Sequence, residues 1–196
     1  MSRIGKKPVA LPEKVKARIE GRKVLVEGPL GKLSFALPEG INAEIKDASI
    51  NISIAPGAAG KDALFGTVRA RVNNMVSGVA REFEKVLEIS GVGYKGAVEG
   101  TRVNMQLGFS HPVIMDIPQG IKMSFDPKQA VLTIKGIDRE IVGNLAAQIR
   151  RIKPCEPYKG SGIKYHGEHI IRKAGKTAAG ASAGAIAGAG GGAAKK

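Results

Sequence analysis

The chain contains two copies of one unit. Leu37-Pro38-Glu39-Gly40-Ile41 returns as Ile117-Pro118-Gln119-Gly120-Ile121, 80 positions later. The same offset lays the alternating Leu33, Phe35, Leu37 on Val113, Met115, Ile117, and Ile52 and Ile54 on Leu132 and Ile134. Further on, residues 64–70 (LFGTVRA) match residues 141–147 (IVGNLAA) at an offset of 77, and a longer first-copy loop, APGAAGK at 55–61, absorbs the difference. Two copies make a tandem pair of domains; a solenoid needs three or more stacked units.

Within each copy the apolar spacing changes in the same order. KVLVEG, KLSFALP and SINISI alternate with period two, as half-buried antiparallel strands do. Leu64, Phe65, Val68, Val72, Met75, Val76 and Val79 then recur at helical spacing, as do Ile141, Val142, Leu145, Ile149 and Ile152. Asp138 suits the N-cap of the second helix, Arg150, Arg151 and Lys153 suit its negative C-terminal end, and Pro154 stops it. The expected class is α+β: two tandem duplicated domains, each a small antiparallel sheet with one packed helix. The expected boundaries are 1–82, 83–153, a basic segment 154–176 belonging to the second domain, and a Gly/Ala-rich tail at 177–196. The tail carries overlapping GxxxG spacings, but its glycines weaken any helix, so a disordered extension is expected rather than a membrane segment.

Charge narrows the partner. Lys and Arg number 31 against 17 Asp and Glu, a net +14, which calls for an anionic partner, most often nucleic acid. Residues 1–82 hold 14 cations against 8 anions, residues 83–153 hold 10 against 7, and residues 154–196 hold 7 against 2. The excess is thus concentrated where the chain is least regular. One cysteine, Cys155, excludes an internal disulfide framework and suits a reducing compartment. The basic N-terminus lacks the apolar core of a signal peptide, and no stretch before residue 177 is long enough to span a bilayer. A cytoplasmic protein is expected.

Several motifs suggest chemistry that their surroundings deny. Gly91-Val92-Gly93-Tyr94-Lys95-Gly96 fits GxGxxG, yet a dinucleotide site needs a helix next, and AVEGTRVNMQLG alternates like strands. The better reading is a glycine-rich turn displaying Tyr94 and Lys95. Gly175-Lys176-Thr177 ends like a P-loop, but the required earlier glycine is Ile170. His166, Glu168, His169 and Cys155 are ligand types without the paired spacing of a structural zinc site. Nor has Cys155 a base at a catalytic spacing. No metal, cofactor, small-molecule substrate or catalytic residue is expected. What remains is PCEPYKGSGIKYHGEH at 154–169, where lysines can displace counterions, glycines allow close approach and tyrosines can pack on riboses or bases. The residues alone support a two-domain RNA- or DNA-binding protein.

The opening MSRIGKKPVALP, the GVGYKG turn, LGFSHP at 107–112 and PCEPYKGSGIKYHGE closely resemble the bacterial large-subunit ribosomal protein L-six family, over residues 1–176. The resemblance implies a structural, non-enzymatic constituent of the large ribosomal subunit in the cytoplasm. It would bind large-subunit ribosomal RNA near the sarcin–ricin loop and the stalk base, beside neighbouring ribosomal proteins and docking translational GTPases. The implied RNA contacts are Gly93, Tyr94, Lys95, Ser110, His111, Lys153, Tyr158, Lys159, Gly160, Ser161, Gly162, Lys164, Tyr165, Arg172, Lys173 and Lys176. Two positions depart from the family pattern. Ser161 stands where a lysine is usual, and Lys164 where an arginine is frequent, which exchanges a bidentate fork for a point charge. The remaining alternative is a non-ribosomal nucleic-acid binder.

Overall fold

Each repeat folds as a helix packed under antiparallel strands, in the same element order. The computed structural model describes residues 3–46, 48–56, 62–127 and 130–175. The tail, Lys176 and most of the 55–61 loop lie outside them. The first repeat comprises β1 (Val9–Ala10), β2 (Lys16–Glu20), β3 (Lys23–Gly28), β4 (Gly31–Ala36), β5 (Ile41–Lys46), β6 (Ser49–Ile54) and α1 (Asp62–Ala80). The second comprises β7 (Phe83–Ser90), β8 (Lys95–Glu99), β9 (Arg102–Gln106), β10 (Val113–Asp116), β11 (Ile121–Asp126), β12 (Val131–Gly136) and α2 (Arg139–Ile152), followed by an added strand, β13 (Gly162–Tyr165).

The strands of each repeat divide between two sheets. In the first these are β1-β6-β5 and β2-β3-β4; in the second, β11-β12-β7-β13 and β10-β9-β8. Register carries the alternation into the core. Ala17, Val26 and Leu33 lie in one row across β2-β3-β4, and Ile19, Val24 and Phe35 in another. Phe125, Leu132, Leu87 and Tyr165 form a row across all four strands of the larger sheet.

The helices agree at three core positions and one edge position at the 77-residue offset. Phe65 and Val142, Val68 and Leu145, and Val72 and Ile149 are all buried, whereas Leu64 and Ile141 are exposed in both copies. The reason is geometric: Leu64 and Ile141 sit at the edge of the apolar stripe, about 100° from its neighbouring position. Asp138 caps α2, its Oδ1 accepting from Glu140 N at 2.8 Å.

Turns repeat as well. Gly40 and Gly120 both have φ of +81°, which glycine adopts without a Cβ penalty. In both turns the proline carbonyl accepts from the following isoleucine, Ile41 N to Pro38 O and Ile121 N to Pro118 O, each at 3.3 Å.

The two cores are separate, one built on Val24, Ile50 and Val72, the other on Leu87, Leu132 and Ile149. They are joined at the C-terminal half of α1. A Cβ on Gly78 would fall 1.9 Å from the Ile137 carbonyl oxygen, so only glycine permits this approach. Beside it the Arg71 guanidinium pairs with both Glu140 carboxylate oxygens, and Arg139 donates to Asn74 Oδ1 at 3.2 Å.

Candidate nucleic-acid interface

Residues 153–173 form the feature for which the first repeat has no counterpart. After Pro154 the chain closes a small loop: Gly160 N donates to Glu156 O, and Glu156 N to Ser161 O, both at 2.9 Å. Tyr158, 53% exposed, and Lys159 stand at its tip. The loop returns through Gly162 at φ +141°, where a Cβ would lie 2.7 Å from Pro154 O and the Cys155 Cα. Ile163 N then donates to Lys153 O at 2.8 Å, and the chain enters β13 with Ile163 fully buried. Lys173 N donates to Pro157 O at 2.9 Å, so residues 170–173 fold back beside the loop.

This path builds an open groove of about 810 Å³. One wall is the end of β7 and the turn after it, Glu88 to Val92; the other is Lys159 to Ser161, with Arg172. Ser90 Oγ ties the walls together by donating to Gly160 O at 2.9 Å. The Arg172 guanidinium rests over Gly160, where a Cβ would come within 3.0 Å of its Nη2. A side chain at position 160 would push that cation out of place.

The cations near the groove fall into two groups. Lys164 is committed: its Nζ lies 2.7 Å from Glu88 Oε2, and His166 Nδ1 lies 2.7 Å from Glu88 Oε1. The hydrogen bonds from Lys164 and then His166 hold the Glu88 carboxyl below its ordinary 4.5. Arg150 is also committed, to Glu168, whose carboxylate additionally accepts from Tyr165 N at 3.0 Å. Arg150 lowers the Glu168 pKa first and the Tyr165 N–H next. By contrast, Lys95, Lys159, Arg172 and Lys173 make no ion pair with any described residue. These four are available to phosphates.

The aromatic residues divide in the same way. Tyr165 packs against the second core between Arg150 and Lys85, with cation–ring distances of 5.5 and 5.8 Å. The sequence predicts a turn displaying Tyr94, but the residue is half-buried. Its ring folds back over Gly91 and lies against Gly108, packed on the second core. Without a Cβ at either glycine the ring can seat there. The turn instead exposes Gly93, Lys95 and Val92, the last entirely. Ser110 and His111 lie on an exposed loop, with Lys153 beside it. Ser161 Oγ donates to Glu156 Oε2 at 3.3 Å, so this position closes the loop.

Sequence reasoning passed over Glu88, Ser90, Val92 and Phe109. Glu88 and Ser90 carry no motif, and act through partners 70 or more positions away. Val92 was the visible tip of the GVG turn, and Phe109 an aromatic between Gly108 and Pro112, outside any alternation.

A pocket of about 110 Å³ at the junction of the repeats is lined by Phe35, Arg71, Met75 and Glu140. Its charges are paired across the junction, so it joins the repeats. Among the described residues, no three His, Cys, Asp or Glu side chains could hold a metal ion, and no helix is long and apolar enough to cross a membrane. The GxGxxG turn leads into β8, so no helix N-terminus faces it.

Comparison with known proteins accounts for both repeats. The family described as Ribosomal protein L6 matches residues 11–82 and again residues 90–166. The large ribosomal subunit protein uL6 of Synechococcus sp. (strain RCC307) is 47% identical over 177 residues, 90% of this chain and 98% of that protein. The protein of the same description from Bradyrhizobium sp. (strain ORS 278) is 48% identical over 178 residues, 90% of this chain and 99% of its own. That from Thioalkalivibrio sulfidiphilus (strain HL-EbGR7) is 46% identical over 176 residues, 90% and 99% respectively.

Proposed function

Because the chain belongs to the Ribosomal protein L6 family, we propose that it is a structural constituent of the large ribosomal subunit that binds ribosomal RNA through its second repeat. It is a component of a ribonucleoprotein engaged in translation and not an enzyme. One observation carries the assignment to the second repeat: Lys159 and Arg172 line one groove without anionic partners among the described residues, and Lys173 follows Arg172 in the chain. Each such cation can replace a counterion on a phosphate, whereas Lys164 would first have to leave Glu88.

Within the subunit, the reading places the groove on RNA near the sarcin–ricin loop at the stalk base. Neighbouring ribosomal proteins would lie beside it and translational GTPases would dock nearby, on cytoplasmic ribosomes. The family resemblance supports this location. The functional units are residues 1–82, 83–153 and the RNA-contacting segment 154–176, which works with the second. Ser161 supplies no cation where a lysine is usual, so Lys159 and Arg172 carry that wall. Co-sedimentation tests the assignment: the protein should travel with large subunits at low salt and be released as salt rises. Sedimentation apart from ribosomes, with binding to unrelated nucleic acids at equal affinity, would overturn it.

A further inference from the structure

Phe109 is 41% exposed and takes no part in the second core. Single exposed apolar side chains are common on folded proteins. What distinguishes this ring is how firmly it is held. The Lys153 ammonium lies over one face, 4.7 Å from the ring centroid. The His111 ring is stacked nearly parallel to it, at 18° and 6.1 Å between centroids. The backbone is fixed on both sides. Leu107 is fully buried, and Gly108 seats on the Tyr94 ring, where a Cβ would lie 3.1 Å from Cε1. Lys153 is itself anchored at the end of α2, its carbonyl accepting from Ile163 N at 2.8 Å.

We propose that Phe109, supported by Lys153 and His111, is a platform on which an unpaired base of the bound RNA stacks. The inference rests on the RNA-binding reading above and adds to it a base contact outside the phosphate groove. With a cation over one face and an imidazole stacked nearly parallel to it, the residue is still 41% exposed, so part of the ring surface remains accessible. An aromatic ring flanked by two such neighbours suits a nucleobase, since every base has a π-face. Lys153 and His111 extend the platform with donors for a ribose or phosphate. Base stacking does not release counterions, so its contribution is independent of the salt response of the groove.

The test measures affinity of the full-length protein for protein-free large-subunit ribosomal RNA across a salt series. Phe109→Ala should weaken binding about tenfold or more with the salt slope unchanged. Phe109→Tyr should retain affinity and Phe109→Leu should lose it; that pair carries the test even if the alanine variant folds poorly. A paired variant, Lys159→Ala with Arg172→Ala, should instead flatten the salt slope. If Phe109→Leu binds as the parent does while the paired variant is weakened, the platform is wrong and the groove stands. If neither is weakened, the RNA-binding reading falls with it. An equal loss against fully duplex RNA would also overturn the proposal, because a paired base is not available for stacking.

Discussion

The two repeats share a fold and differ in one addition. In the first, the sheet corresponding to β11-β12-β7 ends at β1, two residues fenced by Pro8 and Pro12, which cannot donate to a neighbouring strand. In the second, the equivalent strand β7 runs eight residues and takes β13 as a further partner. That strand draws residues 154–173 onto the sheet edge and makes the groove. The charge excess is the same on both sides: residues 1–82 hold 14 cations against 8 anions, and residues 83–176 hold 15 against 9. Concentration of unpaired charge around a concave surface, rather than its total, separates the repeats.

The largest expected effect tests that separation at equal charge. Replacing Lys159, Arg172 and Lys173 together by alanine should cost about 3–5 kcal/mol of affinity for large-subunit RNA, since charge-assisted contacts contribute roughly 1.5–3 each and are not fully additive. Replacing Lys14, Lys16 and Arg18 of the first repeat, also without ion-pair partners among described residues, should change affinity by less than about 0.5 kcal/mol. Equal losses in a filter-binding titration would mean that charge count matters and the groove does not.

Next in size is the turn that feeds β13. Gly162→Ala meets both an unfavourable backbone angle and the Pro154 carbonyl, so a destabilisation of about 3 kcal/mol is expected by urea unfolding. Gly21→Ala, at φ +58° with nothing within 4 Å, should cost about 1–2 kcal/mol, the left-handed penalty alone. A Gly162→Ala protein as stable as Gly21→Ala would show that the crossing at 154–162 is loose.

A smaller effect concerns pH. The Glu88 carboxyl is depressed in the folded protein, chiefly by Lys164 and then His166. A carboxyl with a lowered folded pKa contributes stability that is complete above its unfolded value and lost as pH falls through the folded one. Acidification below the ordinary 4.5 should therefore loosen β13 from β7, with Glu168 losing its hold on Arg150 in the same direction. Glu88→Gln should remove most of this pH dependence, at a cost of about 1 kcal/mol near neutrality. Amide exchange at His166, whose N–H donates to Val86 O of β7 at 2.9 Å, followed with pH, reads it directly. Faster exchange toward neutral pH, after correction for intrinsic rates, would contradict the assignment.

The smallest effect checks the symmetry of the helices. Leu64→Ser and Ile141→Ser occupy equivalent exposed positions and should each change stability by less than about 0.5 kcal/mol. Val68→Ala and Leu145→Ala, both buried, should cost about 1–4 kcal/mol. A large serine effect in one repeat alone would reveal a contact that the other lacks.

Much of this was written in the chain as local pattern. The period-two strands, the Asp138 cap and the paired turn glycines each depend on neighbours a few positions away, so periodicity and residue type suffice to read them, and the 80-residue repeat shows as plain self-similarity. The division of each repeat's strands between two sheets required pairing across longer separations. The groove was less legible for the same reason. Lys159 and Arg172 could be named as cations, yet their freedom depends on where the carboxylates went. Lys164 looked equivalent until β13 brought it to Glu88, and Tyr94 looked displayed until two glycines let its ring fold inward. The junction at Gly78 likewise follows from the Ile137 carbonyl of the other repeat. Sequence determined the elements because backbone preference and burial alternate over short distances. Tertiary structure decided which charges and rings were spent internally, because those partners meet only after the elements have packed.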